Sequence, residues 1–237
     1  MQNGRFKSEF GYELETYKWE PVGEPKFAIY LSHGYGNFAN DYGYRREFIP
    51  KILGLGGVVY SHDHYAHGKS GPFEITHHDR CQLRSFDEAA SDLSSRIEAT
   101  KKENPGLPFI LLGSCLGALL GLIAMKNDDL KVDSPDGDQG GYNADMAIKT
   151  LDAQAKIQEW MNSEVLPENL EIPIAIFVGE KDQVINPESS YFLHDRIPGS
   201  KLFTYEGAYH SLMNELPETV EKFYEDFTSV ILSAIQK

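Results

Sequence analysis

A chain of 237 residues with 41% hydrophobic and 24% charged side chains is long enough to bury one substantial core and is neither disordered nor fibrous in composition. Its net charge of −14 argues against nucleic acid as a partner, since such binding runs on Lys and Arg displacing counterions. The same charge leaves at most a weak peripheral contact with anionic membranes. The two cysteines, Cys81 and Cys115, are too few for a disulfide scaffold and read as free thiols of a reducing compartment. Residues 1–15 contain no apolar h-region, and no run approaches the ~18 apolar residues of a membrane span. The expectation is a cytoplasmic protein.

Along the chain, short β-rich runs alternate with helical ones, the pattern of a mostly parallel sheet covered on both faces. Residues 10–20, with Tyr12, Leu14, Tyr17 and Trp19, predict an exposed strand entering the sheet. Residues 27–32 (FAIYLS) form a near-continuous apolar run, as in a buried strand. A loop with HGYGN follows, then a helical stretch over 41–55. GVVYS at 57–61 predicts a second buried strand, ending in the polar loop HDHYAHGKSG. Residues 86–102 start on Asp87 and Glu88, carry Ala89, Leu93 and Ile97 on one face and end before Pro105, which predicts a helix. PFILLG at 108–113 is a strand and LGALLGLIAM at 116–125 an apolar helix. Two further strands are expected at 173–179 and 201–205, with helices at 187–195 and 216–235. The acidic, Gly- and Pro-rich stretch 127–142 reads as a loop, and 143–165 is helical by periodicity. The organisation expected is one domain: a core from 1–126 and 172–237, interrupted by a short insert at 127–171.

The chemistry centres on Gly113-Ser114-Cys115-Leu116-Gly117, set between a strand and an apolar helix. That is the context of a Gly-x-nucleophile-x-Gly elbow. The turn forces the nucleophile into a strained backbone conformation, so the flanking positions must be glycine. Its side chain then sits over a helix N-terminus, which favours an anion such as a thiolate. The bland alternative is a small buried hydrophobe at a strand–helix junction.

The segments LSHGYGN, SHDHYAHGKSG, NPGLPFILLGSCLG, FVGEKDQVINP and YEGAYHSLMNELPE, in this order, make the chain resemble the monoacylglycerol lipase group of α/β-hydrolases over nearly its whole length. The resemblance implies the α/β-hydrolase fold, a catalytic triad and a monoacylglycerol or lysophospholipid substrate. Three departures stand out. The family's Gly-His-Ser-x-Gly is here Gly-Ser-Cys-x-Gly, a cysteine elbow similar to that of dienelactone hydrolases. A further strand and a longer apolar cap normally follow the position of Met125. Ala66 stands where the family usually has glycine.

In this fold the acid and histidine follow the nucleophile. Asp182 lies after the strand at 173–179; Glu180 is its nearest rival, and position and family motif both favour Asp182. His210, in EGAYHSLMNE, follows the strand at 201–205, whereas His194 falls inside a predicted helix. By resemblance, the backbone N–H groups of Tyr35 and Leu116 form the oxyanion hole, each such donor being worth roughly 3 kcal/mol in the transition state. His33 is read as pinning that loop, and the histidine-rich HDHYAHG as scaffolding, since its spacing fits no zinc pattern. The expected activity is hydrolysis of an acyl ester or thioester through Cys115, His210 and Asp182. No cofactor or metal is required, because the triad completes the chemistry. The rival reading is a binding protein, or an impaired nucleophile variant, on a hydrolase scaffold.

Overall fold

The computed structural model describes residues 1–71, 80–127, 159 and 173–236. The chain divides into two compact units, Met1–Gln158 and Glu159–Lys237.

In the first unit five strands form one sheet: β1 (Gln2–Lys7), β2 (Glu13–Trp19), β3 (Phe27–Ser32), β4 (Gly57–His62) and β5 (Phe109–Gly113), in the order β1-β2-β4-β3-β5. The three apolar runs expected to be buried strands are β3, β4 and β5, and they pair in parallel. Every residue of β3 and β4 is buried, as continuous apolar runs require. Gly57 is glycine for space: a Cβ there would strike the Phe27 ring, and Ile52 Cγ2 at 2.8 Å. β2 buries Leu14, Tyr17 and Trp19 and pairs antiparallel with both β1 and β4. β1 was not expected from sequence.

The helical stretch expected over 41–55 begins as a π-helical turn, Tyr44–Phe48, and continues as α1 (Ile49–Gly54). Helix α2 (Phe86–Glu103) starts one residue after Ser85, whose hydroxyl accepts from Asp87 N at 3.1 Å and Glu88 N at 3.4 Å. That side chain caps the helix, while Asp87 and Glu88 favour its positive end. Helix α3 (Leu116–Asn127) buries Leu120, Ile123 and Ala124.

β3 lies between β4 and β5, so the chain leaves β3 towards one neighbour and returns to the other. Loops at the carboxyl ends of two such strands face the same crevice. Ser32 pairs with Gly113 at those ends, so the HGYG loop and the cysteine elbow leave the sheet side by side.

The second unit repeats this logic on a smaller scale. Strands β6 (Ala175–Gly179) and β7 (Lys201–Tyr205) pair in parallel, with Gly179 opposite Tyr205. Helix α4 (Pro187–Arg196) is capped by Asn186, and α5 (Pro217–Ile235) buries Phe223, Tyr224, Phe227 and Ile231. Phe177 stacks on Phe203 at 4.9 Å between centroids and meets Phe223 edge-on at 5.6 Å. The loop expected over 127–142, beyond Asn127 itself, and nearly all of the helix expected over 143–165 lie outside the described residues.

Candidate active site

Cys115 sits at φ 53°, a left-handed conformation that a residue bearing a Cβ adopts at a cost of about 1–2 kcal/mol. Both flanking glycines are sterically obligatory. A Cβ on Gly113 would lie 2.5 Å from Ala118 N, and one on Gly117 would strike the Ser32 carbonyl oxygen. The turn is closed by Ser114 N donating to Ser32 O at 3.0 Å and Gly117 N to Ser114 O at 2.9 Å. Ala118 N then donates to Cys115 O at 3.0 Å, so α3 begins immediately after Cys115. Leu116 is its first residue, where a backbone N–H has no acceptor within the helix.

The HGYG loop lies against this elbow. The Cβ direction of Gly34 points to Cys115 Cβ at 3.3 Å and Ser114 O at 3.4 Å. Gly36, at φ 71°, turns the chain back, and Asn37 N donates to Gly34 O at 3.2 Å. His33 is wholly buried, and its Nδ1 donates to Gly34 O at 2.9 Å. Tyr44, absent from the sequence reading, is buried next to both segments. Burial raises its hydroxyl above the ordinary range, and hydrogen bonds from the Ser114 side chain and the Gly34 backbone oppose that shift.

The HDHYAHG loop is built around Asp63. Its carboxylate accepts from Ala39 N at 2.8 Å, Lys69 N at 2.8 Å and the Tyr17 hydroxyl at 2.9 Å. Burial raises its pKa, and these donors hold the rise back. Ala66 has φ 60°, a left-handed conformation that glycine adopts without strain, in line with the glycine that the family resemblance implies at this position. Among the described residues no group of three or more His, Cys, Asp and Glu is placed to hold a metal ion.

In the second unit, His210 Nδ1 lies 2.7 Å from Asp182 Oδ2. The other carboxylate oxygen accepts from Val184 N at 2.8 Å and Ile185 N at 2.9 Å, which fixes the loop. Burial alone would raise the Asp182 carboxyl; the hydrogen bonds from His210, Ile185 and Val184 outweigh it and hold it below the ordinary carboxylate range. With Nδ1–H committed to Asp182, the lone pair of His210 is on Nε2, the nitrogen that can take a proton. Gly179 brings the two loops together, since a Cβ there would lie 2.6 Å from Ala208 O. Lys181 N also donates to Ala208 O at 2.9 Å. Glu180, the rival acid, instead uses its backbone N–H on Tyr205 O at 3.1 Å.

Of the residues singled out in the sequence, Cys115, Leu116 and Tyr35 thus lie in the first unit, and Asp182 and His210 in the second. The serine aminopeptidase S33 pattern matches residues 23–134 and 135–217. The chain belongs to that family. Within reach of this S33 sequence, human monoglyceride lipase is 23% identical over 266 aligned residues, covering 88% of this chain and 83% of its own length. Monoacylglycerol lipase of Mycolicibacterium smegmatis is 26% identical over 269 aligned residues, covering 91% of both. Among solved structures, a thermostable carboxyl esterase from Bacillus coagulans aligns with TM-score 0.76 at 17% identity, over 99% of this chain and 98% of that one. Paleococcus ferrophilus monoacylglycerol lipase aligns with TM-score 0.66 at 20% identity, over 92% and 99%. This S33 member is a monoglyceride-lipase-like α/β-hydrolase, and no described helix is long and apolar enough to cross a membrane.

Proposed function

We propose that the protein hydrolyses carboxylic esters or thioesters of the monoacylglycerol or lysophospholipid kind through Cys115, His210 and Asp182 acting together. The observation that carries this reading is the left-handed Cys115 between two obligatory glycines, at the start of α3 and against the HGYG loop. A buried hydrophobe has no need of that strained presentation.

His210 Nε2 takes the thiol proton of Cys115, and Sγ forms a bond to the acyl carbon. The carbonyl oxygen becomes an oxyanion held by the N–H groups of Tyr35 and Leu116. Collapse expels the alkoxide or thiolate, which takes the proton from His210 and leaves a thioester on Cys115. His210 then deprotonates water, whose oxygen attacks the thioester; the carboxylic acid departs and Cys115 regains its proton. Asp182 keeps the imidazole in one tautomer and stabilises the imidazolium.

Sulfur is a better leaving group than an alkoxide, so tetrahedral adducts of ordinary glycerol esters tend to revert. Thioesters and aryl esters are the better substrates of the cysteine enzyme. The test is intact-protein mass spectrometry after mixing with short p-nitrophenyl esters, with kcat/KM for a monoacylglycerol and a matching thioester on the parent and on Cys115→Ser. An acyl mass lost in Cys115→Ala, and faster alkyl-ester turnover in Cys115→Ser, are expected. No acyl-enzyme and no turnover in either protein refutes an enzyme and leaves a binding scaffold.

A further inference from the structure

Three buried side chains of the first unit form a hydrogen-bonded line that ends on the backbone carbonyl of His33, and the ring of His33 is held in turn by the His64 backbone N–H and the Gly34 carbonyl of the oxyanion loop. The Tyr30 hydroxyl is 2.7 Å from His62 Nδ1, and His62 Nε2 is 3.2 Å from His64 Nδ1. His64 Nε2 is 3.1 Å from the His33 carbonyl oxygen, and the His64 backbone N–H reaches His33 Nε2 at 3.0 Å. His33 Nδ1 then meets Gly34 O at 2.9 Å. None of the four residues is more than 1% exposed.

With the Ser32 hydroxyl, 3.4 Å from His64 Nε2, accepting alongside the His33 carbonyl, one arrangement of protons satisfies every contact. A backbone N–H can only donate, so His33 Nε2 is an acceptor and the ring proton is on Nδ1, donated to Gly34 O. A carbonyl can only accept, so His64 carries its proton on Nε2 and accepts on Nδ1. His62 must therefore donate from Nε2, and its Nδ1 accepts from the Tyr30 hydroxyl. All three imidazoles are neutral, each in a single tautomer, and every hydrogen bond points the same way. The charged and titratable groups facing the line are Arg96, beside Tyr30 and His62, Asp92, which acts on Tyr30, and His67, whose ring is 5.4 Å from that of His33 and 6.0 Å from that of His64.

The last acceptor matters most. In a trans peptide the C=O and N–H point in opposite directions, so a bond that holds Gly34 O sets the direction of the Tyr35 N–H. We infer that Tyr30, His62, His64 and His33 are positioning residues whose one-way hydrogen-bond line aims the Tyr35 N–H at the oxyanion. The inference rests on the oxyanion role given to Tyr35 above. It assigns work to histidines that pure core filling leaves idle: a leucine would fill the same volume without fixing a proton.

The test compares His62→Leu, which removes the donor to His64 Nδ1, with His62→Gln, whose amide can still donate there and accept from Tyr30. In the parent at neutral pH, 15N imidazole spectra should show His33 as the Nδ1–H tautomer and His62 and His64 as Nε2–H. His62→Leu should turn His64 to a tautomer mixture and lower kcat for p-nitrophenyl acetate by about 10–100-fold, with KM changed by less than about twofold. His62→Gln should keep the His64 tautomer and most of kcat. Mixed tautomers in the parent, or equal kcat in folded His62→Leu and His62→Gln, overturn the inference. If His62→Leu does not fold, Tyr30→Phe takes its place: loss of the single His62 tautomer with reduced kcat supports the line, and an unchanged spectrum and kcat refute it. A parent that turns over no ester defeats the functional reading and with it the positioning role, whereas the tautomer spectra separately establish whether the line exists.

Discussion

His210 Nδ1 and Asp182 Oδ2 are 2.7 Å apart, while the second oxygen of Asp182 is held by two backbone amides. The carboxylate is thus fixed before it orients the imidazole, and the pair has only one productive hydrogen-bonding arrangement.

Replacing Asp182 with Asn keeps the shape of the side chain but lets an amide face His210 Nδ1. The imidazole then shifts to the tautomer with its proton on Nε2, which cannot accept from a thiol. A fall in kcat of about 10³–10⁴-fold is expected for p-nitrophenyl esters, with thermal stability close to that of the parent. Activity within tenfold of the parent, read from steady-state kinetics, contradicts the role given to Asp182.

The two thiols should react at different rates. Cys81 is partly buried, and that burial raises its pKa, so little thiolate forms near neutral pH. Cys115 stands at the start of α3, where the helix dipole favours the anion. Iodoacetamide should therefore label Cys115 first, as followed by peptide mass spectrometry over time. Equal labelling rates are incompatible with an activated nucleophile.

Acid should destabilise the first unit through its neutral histidines. Burial holds His33 and His64 well below the ordinary value and, with Arg96 adding to it, brings His62 down to about 3. Unfolded histidine titrates near ~6.5, so the unfolded chain takes up protons first as pH falls. Their contribution to stability is complete above that pH and is lost on acidification towards the folded values. Asp92 acts in the opposite sense. Burial raises it to about 6, and burial raises Asp63 as well, so the folded state gains these protons before the unfolded one does and part of the loss is offset. Urea unfolding between pH 7.5 and 4.5 should show a net decline in stability, and a shallower decline in His62→Gln. A flat profile in the parent rules out neutral burial of these rings.

Much of the architecture was readable from the chain because its central parts advertise themselves. FAIYLS, GVVYS and PFILLG are apolar without alternation, which only a strand covered on both faces tolerates. The elbow was readable from Gly113 and Gly117, whose missing side chains the structure explains by contacts with Ala118 and Ser32. β1 was not readable. Its residues QNGRFK are exposed along most of the strand, so no burial pattern marks it, and it exists by pairing with β2. The α2 cap at Ser85 is a single hydroxyl with no periodicity of its own, whereas Asp87 and Glu88 mark the same helix start by charge. The histidine line was beyond reach for another reason: the loop HDHYAHG was visible, but the direction of each proton depends on contacts with Tyr30, His33 and Gly34, about 30 positions away.

The left-handed backbone at Cys115 has a consequence for how this site can vary. Its conformational cost arises at the Cβ and the peptide planes, upstream of the atom that reacts, so the same penalty applies to cysteine and serine alike. The clearances that fix Gly113 and Gly117 involve Ala118 and Ser32, not the side-chain atom at position 115. Under the proposed mechanism, what separates cysteine from serine is the partitioning of the tetrahedral adduct, so the residue at this position would bear on the leaving group rather than on the backbone turn.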